Sequence, residues 1–125
     1  MTHHRRADLA EFFEHSKKIR GRFANTFFLL QKHGTGTPPE IAQGIVQAYV
    51  LASKKGVDKL ANRSNRAKRR LRVAQRQILQ NHPLPTTSAN VRWVIMAGRG
   101  SLKAAWSDIL KEVEQQWLNV LATLP

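Results

Sequence analysis

Between Lys54 and Arg76 the chain sets ten Lys or Arg against one acid, Asp58, so this run holds nine of the protein's thirteen net positive charges. Charge crowded this tightly repels itself unless an anion lies against it. Arg outnumbers Lys in the run, and the planar guanidinium fork suits bidentate contact with phosphate. Ala67, Leu71, Ala74 and Ile78 recur at four, three and four residues, the spacing of a single helix face, so the same run must also pack on a core. A solvated face laced with i,i+4 ion pairs is the plain alternative, but residues 63–76 contain no acid to supply them. A basic helix docked on a folded body is the footprint of a polyphosphate binder, with nucleic acid ahead of an anionic membrane. The candidate contacts are Arg63, Arg66, Lys68, Arg69, Arg70 and Arg72, preceded by Lys54 and Lys55. Asn65 suits a helix N-cap.

Other chemistry is missing from the sequence. There is no cysteine, which removes disulfides and thiolate metal sites. His15, His33 and His82 are scattered with no carboxylate at ligand spacing. Asp8, Glu11 and Glu14 imitate an acidic cluster, but at these spacings beside basic residues they read as a solvated helix face. No Ser/His/Asp or Cys/His set and no Gly-Lys-Ser loop is present. No catalytic residue and no metal ligand are assigned to this chain.

The elements that position the basic run follow from 125 residues at 42% hydrophobic, enough for one domain with a core. His3 and His4 beside Arg5 and Arg6 read as a mobile basic tail spanning residues 1–6. Residues 7–16 read as a short helix carrying Leu9, Phe12 and Phe13. The segment KKIRGR then breaks the pattern. Phe23–Gln31 alternates as a strand, with Phe28 and Leu30 on one face and Phe27, Leu29 and Gln31 on the other. Residues 33–40 form a turn-rich loop, and Ile45–Ser53 is taken as a strand although its start could open a helix. The basic helix is expected from near Asn62–Asn65 to about Gln80. Val91–Ala97 reads as a buried strand. Ser101 is expected to cap a last helix with Trp106, Ile109, Leu110, Val113, Trp117, Val120 and Leu121 as its stripe. Trp93, Trp106 and Trp117 are expected in the core or at its rim. The order implies a mixed α/β domain, with a further short strand sought near residues 40–45. No apolar run has signal-peptide or bilayer-spanning length, so a soluble, cytoplasmic protein is expected.

This order, with the residues that carry it, resembles the bacterial ribonuclease P protein family over roughly residues 7–121. The matching pieces are Leu9 and Phe13, Gly21, Ala24-Asn25 with Phe28-Leu29-Leu30, and Ser53-Lys54-Lys55. They continue with Asn65-Arg66-Ala67-Lys68-Arg69 and Arg72, then Val94-Ile95-Met96-Ala97, then the helix around Trp106–Leu121. The Lys-Lys and Asn-Arg-x-Lys-Arg pieces are the specific part. The resemblance implies a single αβββαβα domain with a mixed four-stranded sheet and a left-handed βαβ crossover, akin to a domain of a ribosomal protein. It implies that the basic helix and Lys54-Lys55 face a catalytic RNA, with Asn65 near RNA or a metal-bound water. It also implies that the first helix and the sheet hold the single-stranded 5′ leader of precursor tRNA.

On the residues alone, Leu9, Phe13, Phe27, Leu29 and Gln31 pack against one another as readily as they line a groove for stacked bases. The resemblance selects the groove. It further implies an endoribonuclease subunit whose RNA partner binds Mg2+ and performs the chemistry, in a bacterial cytoplasm, with no obligate protein partner. The chain departs from the family pattern at Ser64, Tyr49, Gln31 and Leu9, and in a longer Gly56–Asn62 spacer. A ribosomal-type or general RNA-chaperone protein shares the same charge and is the main alternative. A helix-turn-helix DNA regulator fits less well, because the sequence before residues 62–80 does not read as a short helix and tight turn of that type.

Overall fold

Alternation along β2 (Ala24–Gln31) sorts its side chains between two layers. Ala24, Thr26 and Phe28 are buried, while Asn25, Phe27 and Leu29 are half-exposed. The computed structural model describes residues 6–31, 45–52, 61–85 and 89–124, with side chains from residue 10 in the first helix and residue 63 in the second. Strand β4 (Asn90–Ala97) runs antiparallel to β2 from Ala24↔Ala97 to Gln31↔Asn90, so Thr26/Ile95, Phe28/Trp93 and Leu30/Val91 share the core face. On the other side of β4, β3 (Val46–Ala52) pairs in parallel, with Val50 opposite Ile95. A parallel pair needs a crossover rather than a hairpin, and helix α2 (Ala61–Asn81) supplies it.

The remaining strand is β1 (Lys17–Ile19), antiparallel to β2 with Lys17 opposite Phe28, which gives the sheet order β1-β2-β4-β3. With α1 (Arg6–His15) and α3 (Trp106–Ala122) the order is αβββαβα around one mixed four-stranded sheet, as expected. Strand β1 falls in a segment that the sequence reads as a break, while residues 40–44, where a short strand is sought, lie outside the described residues. A charged tripeptide carries no alternation of its own; the exposed edge of β2 recruits it by backbone pairing.

Helices α2 and α3 cover the face that carries Trp93, and α1 lies on the other. Ala67 and Ala74 are fully buried beside Leu71 and Ile78, and their small side chains let α2 approach the sheet closely. Trp93 and Trp117 stack at 4.6 Å and 17° in the centre. Trp93 Nε1 donates to Thr26 Oγ1 at 3.1 Å, and Thr26 Oγ1 donates to Gln116 Oε1 at 2.5 Å. Gln116 Nε2 donates in turn to the Ala24 carbonyl at 2.8 Å, so each member of the buried polar chain has a partner.

Helix α3 differs from expectation at its start. It begins at Trp106 behind Ala105, which makes no side-chain cap, and Trp106 is exposed. Ser101 is buried in a preceding turn, where its hydroxyl donates to the Gly98 carbonyl at 2.7 Å. Glycine at 100 has φ 86°, a conformation that ends β4's run and delays the helix. Helix α2 also begins earlier than Asn65, at Ala61. The sequence between Gly56 and Asn81 contains neither Gly nor Pro to stop it, so Asn65 lies inside the helix and is not a cap. At the start of β2, the Glu112 carboxylate accepts backbone N–H groups from Arg22, Phe23 and Ala24. A Cβ on Gly21 would sit 2.2 Å from the Ala24 carbonyl oxygen, so this tight approach requires glycine.

Candidate RNA interface

Helix α2 carries two stripes with identical spacing. Ala67, Leu71, Ala74 and Ile78 face the core. Two residues behind them, a rotation of about 200° on a 3.6-residue helix, Asn65, Arg69, Arg72 and Arg76 face solvent. At ~1.5 Å per residue this outer stripe runs about 16 Å. Arg66 is exposed on its flank and Lys68 is half-buried. No acid lies in the first turn of α2, so the positive end of the helix dipole has the same sign as the nearby Arg66.

Arg70 departs from the set to which the sequence assigned it. Its guanidinium turns away from the stripe and donates to the carbonyls of Ser101, Leu102 and Ala104 at 2.5 to 2.7 Å. Three of its donor positions are thereby used to tie α2 to the turn before α3. Arg63, Asn65, Arg66, Arg69 and Arg72 are exposed, whereas Lys54 and Lys55 lie outside the described residues. The sequence reading passed over Arg76 as an individual contact. With Arg72 it borders a groove of about 560 Å³ between α2 and the edge strand β3. The i,i+4 spacing of Arg72 and Arg76 was the available signal.

On the other face, Phe13 meets Phe27 edge-on at 5.0 Å and 84°. The two rings pack on one another and both remain half-exposed. Beside them lies an open recess of about 590 Å³, which Leu29 and Gln31 share with Phe12, His15, Glu11 and Arg92. Leu9 belongs to α1, and its side chain is outside the described set. Phe12 is 2% exposed and forms the recess floor. Lys18 lies over the Phe27 ring at 5.4 Å, and Arg92 over the Phe12 ring at 5.9 Å. The sequence reading named neither cation, because Lys18 falls in a segment read as a break and Arg92 in one read as continuously apolar.

Among the described residues, no three His, Asp or Glu side chains gather to hold a metal ion, and no helix is long and apolar enough to cross a membrane.

Fold and charge together define a class: a basic α/β domain whose crossover helix carries a row of exposed arginines. Within that class the chain belongs to the ribonuclease P protein family, whose model matches residues 4–121. Among solved structures, the RNase P protein of Staphylococcus aureus is similar with a TM-score of 0.61 at 14% identity, covering 93% of this chain and 91% of that one. The RNase P protein from Thermotoga maritima gives 0.58 at 16% identity, covering 93% and 90%. The same Thermotoga maritima protein in complex with 1-(4-fluorophenyl)-2-thiourea gives 0.61 at 15% identity, covering 96% of each chain. At such identities these likenesses show the fold. No curated protein matches the chain. Family membership carries a subunit role in ribonuclease P, and with it tRNA processing and partnership with the ribonuclease P RNA.

Proposed function

We propose that this chain docks on the catalytic RNA of ribonuclease P through the outer stripe of α2 and holds the 5′ leader of precursor tRNA against the α1 face of the sheet. The observation that carries the reading is the run of Asn65, Arg69, Arg72 and Arg76 along one exposed helix face, in a segment with no acid to neutralise it. RNA phosphates supply the missing counter-charge, and release of their counterions drives association. The α1 face offers what an extended strand requires: a half-buried aromatic pair, an open recess and two cations.

Mg2+ keeps most of its octahedral shell as waters and phosphate oxygens, which a folded RNA supplies in number. Mg2+ and the phosphodiester hydrolysis belong, in this reading, to the RNA partner. The protein screens RNA charge and positions the leader, which lowers the Mg2+ needed for cleavage and favours precursor over mature tRNA. Reconstitution with a bacterial ribonuclease P RNA at limiting Mg2+ tests this. Cleavage of a precursor tRNA at the leader junction should rise when the protein is added. Equal rates with and without protein, or equal binding to unrelated structured RNAs, refute it.

A further inference from the structure

Arg92 sits in the middle of the sheet, on β4 between Leu29 of β2 and Gln47 of β3. The neighbouring Trp93 points into the core, so the strand's alternation turns Arg92 to the α1 face. Its Nε donates to Gln47 Oε1 at 3.2 Å. The guanidinium carbon lies 5.9 Å from the centre of the buried Phe12 ring. No carboxylate of the described residues is within ion-pair distance of it, although Glu11 borders the same recess. Its charge therefore stands on the α1 face with no described carboxylate to neutralise it, and such a site attracts an anion. Packing on Phe12 alone would be served as well by an apolar side chain. The Gln47 bond engages Nε and leaves the two terminal nitrogens of a side chain that lines the recess for a phosphate oxygen pair.

Resting on the leader-binding reading above, we infer that Arg92 is a phosphate-binding residue for the single-stranded leader, oriented by Gln47 and backed by Phe12. Lys18 supplies a second cation farther along the same face. It pairs with Phe27 on β1, two strands and two residues away from Arg92. From strand spacing and rise, that separation is about 12 Å between Cα atoms. A strand crossing from Arg92 to Lys18 passes the Phe13–Phe27 pair, so the backbone is gripped at two points with bases free to lie against the rings. Two point contacts on the backbone and few exposed ring faces give binding that depends on salt more than on base identity.

The test uses the reconstituted holoenzyme, with binding of a leader-bearing precursor tRNA and of the mature tRNA measured across a salt series. Arg92→Gln should weaken precursor binding roughly fivefold, the scale of one partly exposed ion pair. It should flatten the precursor's log–log salt slope by about 0.7, one single-strand phosphate. Mature tRNA binding and RNA-subunit affinity should stay as in the parent, which also shows that the fold is intact. Arg92→Lys should keep the parent slope. If the parent prefers precursor but Arg92→Gln leaves the slope unchanged, Arg92 is not a leader contact and the wider reading survives. Equal losses on mature tRNA likewise overturn the assignment. If the parent shows no preference for precursor, the leader reading itself fails and this inference falls with it.

Discussion

Arg69 and Arg70 are adjacent in sequence and chemically identical, yet their replacement should have opposite consequences. Arg70 makes three hydrogen bonds to the carbonyls of Ser101, Leu102 and Ala104. A hydrogen bond from a charged donor contributes ~1.5–3 kcal/mol when buried. Arg70 is only half-buried, so water recovers part of the loss, and Arg70→Ala should cost about 2–3 kcal/mol in total. For a chain of this size, each kcal/mol moves Tm by roughly 4 °C, so Tm should fall by about 10 °C. Because that guanidinium is turned from the stripe, the salt slope of RNA-subunit binding should change little. Arg69→Ala should do the reverse. An exposed substitution shifts stability by no more than ~0.5 kcal/mol, while one lost phosphate contact flattens the slope by about 0.9. Arg70→Lys separates charge from geometry: one ammonium cannot span three carbonyls, so most of the Tm loss should persist with charge conserved. Thermal denaturation followed by circular dichroism, paired with binding across a salt series, reads both quantities. A slope change at Arg70→Ala equal to that at Arg69→Ala, with Tm unmoved, would refute the division of labour along α2.

Phe13→Ala should narrow the preference for leader-bearing precursor over mature tRNA, since it removes one ring of the 5.0 Å pair. RNA-subunit affinity should remain, and equal losses in both assays would place the leader elsewhere. Glu112→Gln leaves one oxygen and an amide where a carboxylate met three backbone donors. The urea midpoint should drop by an amount corresponding to about 1–3 kcal/mol, with the m-value unchanged. Trp93→Phe removes the donor to Thr26 and disrupts the indole stack. A loss of about 1–3 kcal/mol is expected, together with a weakened near-ultraviolet dichroism band, and an unchanged band would count against the stacked core.

Much of the basic helix was legible before any coordinates. The two four-three-four stripes of α2 are local periodicity, and helix geometry alone sets them on opposite sides. The same holds for β2, where period-two alternation separates Phe28 from Phe27 and Leu29. Local signals failed where pairing decided the outcome. Lys17–Ile19 became a strand only because β2 offered an edge, and Ser101 became a buried turn residue because Gly100 adopts positive φ ahead of α3.

Sequence by itself therefore determined the cationic character of α2, its apolar underside and the order of the principal elements, since each rests on the spacing of near neighbours. Only the tertiary structure decided which arginines remain available. Arg70 is withdrawn because α3 and its preceding turn bring three carbonyls to that flank of α2. Arg92 is presented because β2 and β3 bracket β4 and turn its alternate residues toward α1. Both outcomes depend on groups tens of residues away, and side-chain periodicity carries no information about such distant partners.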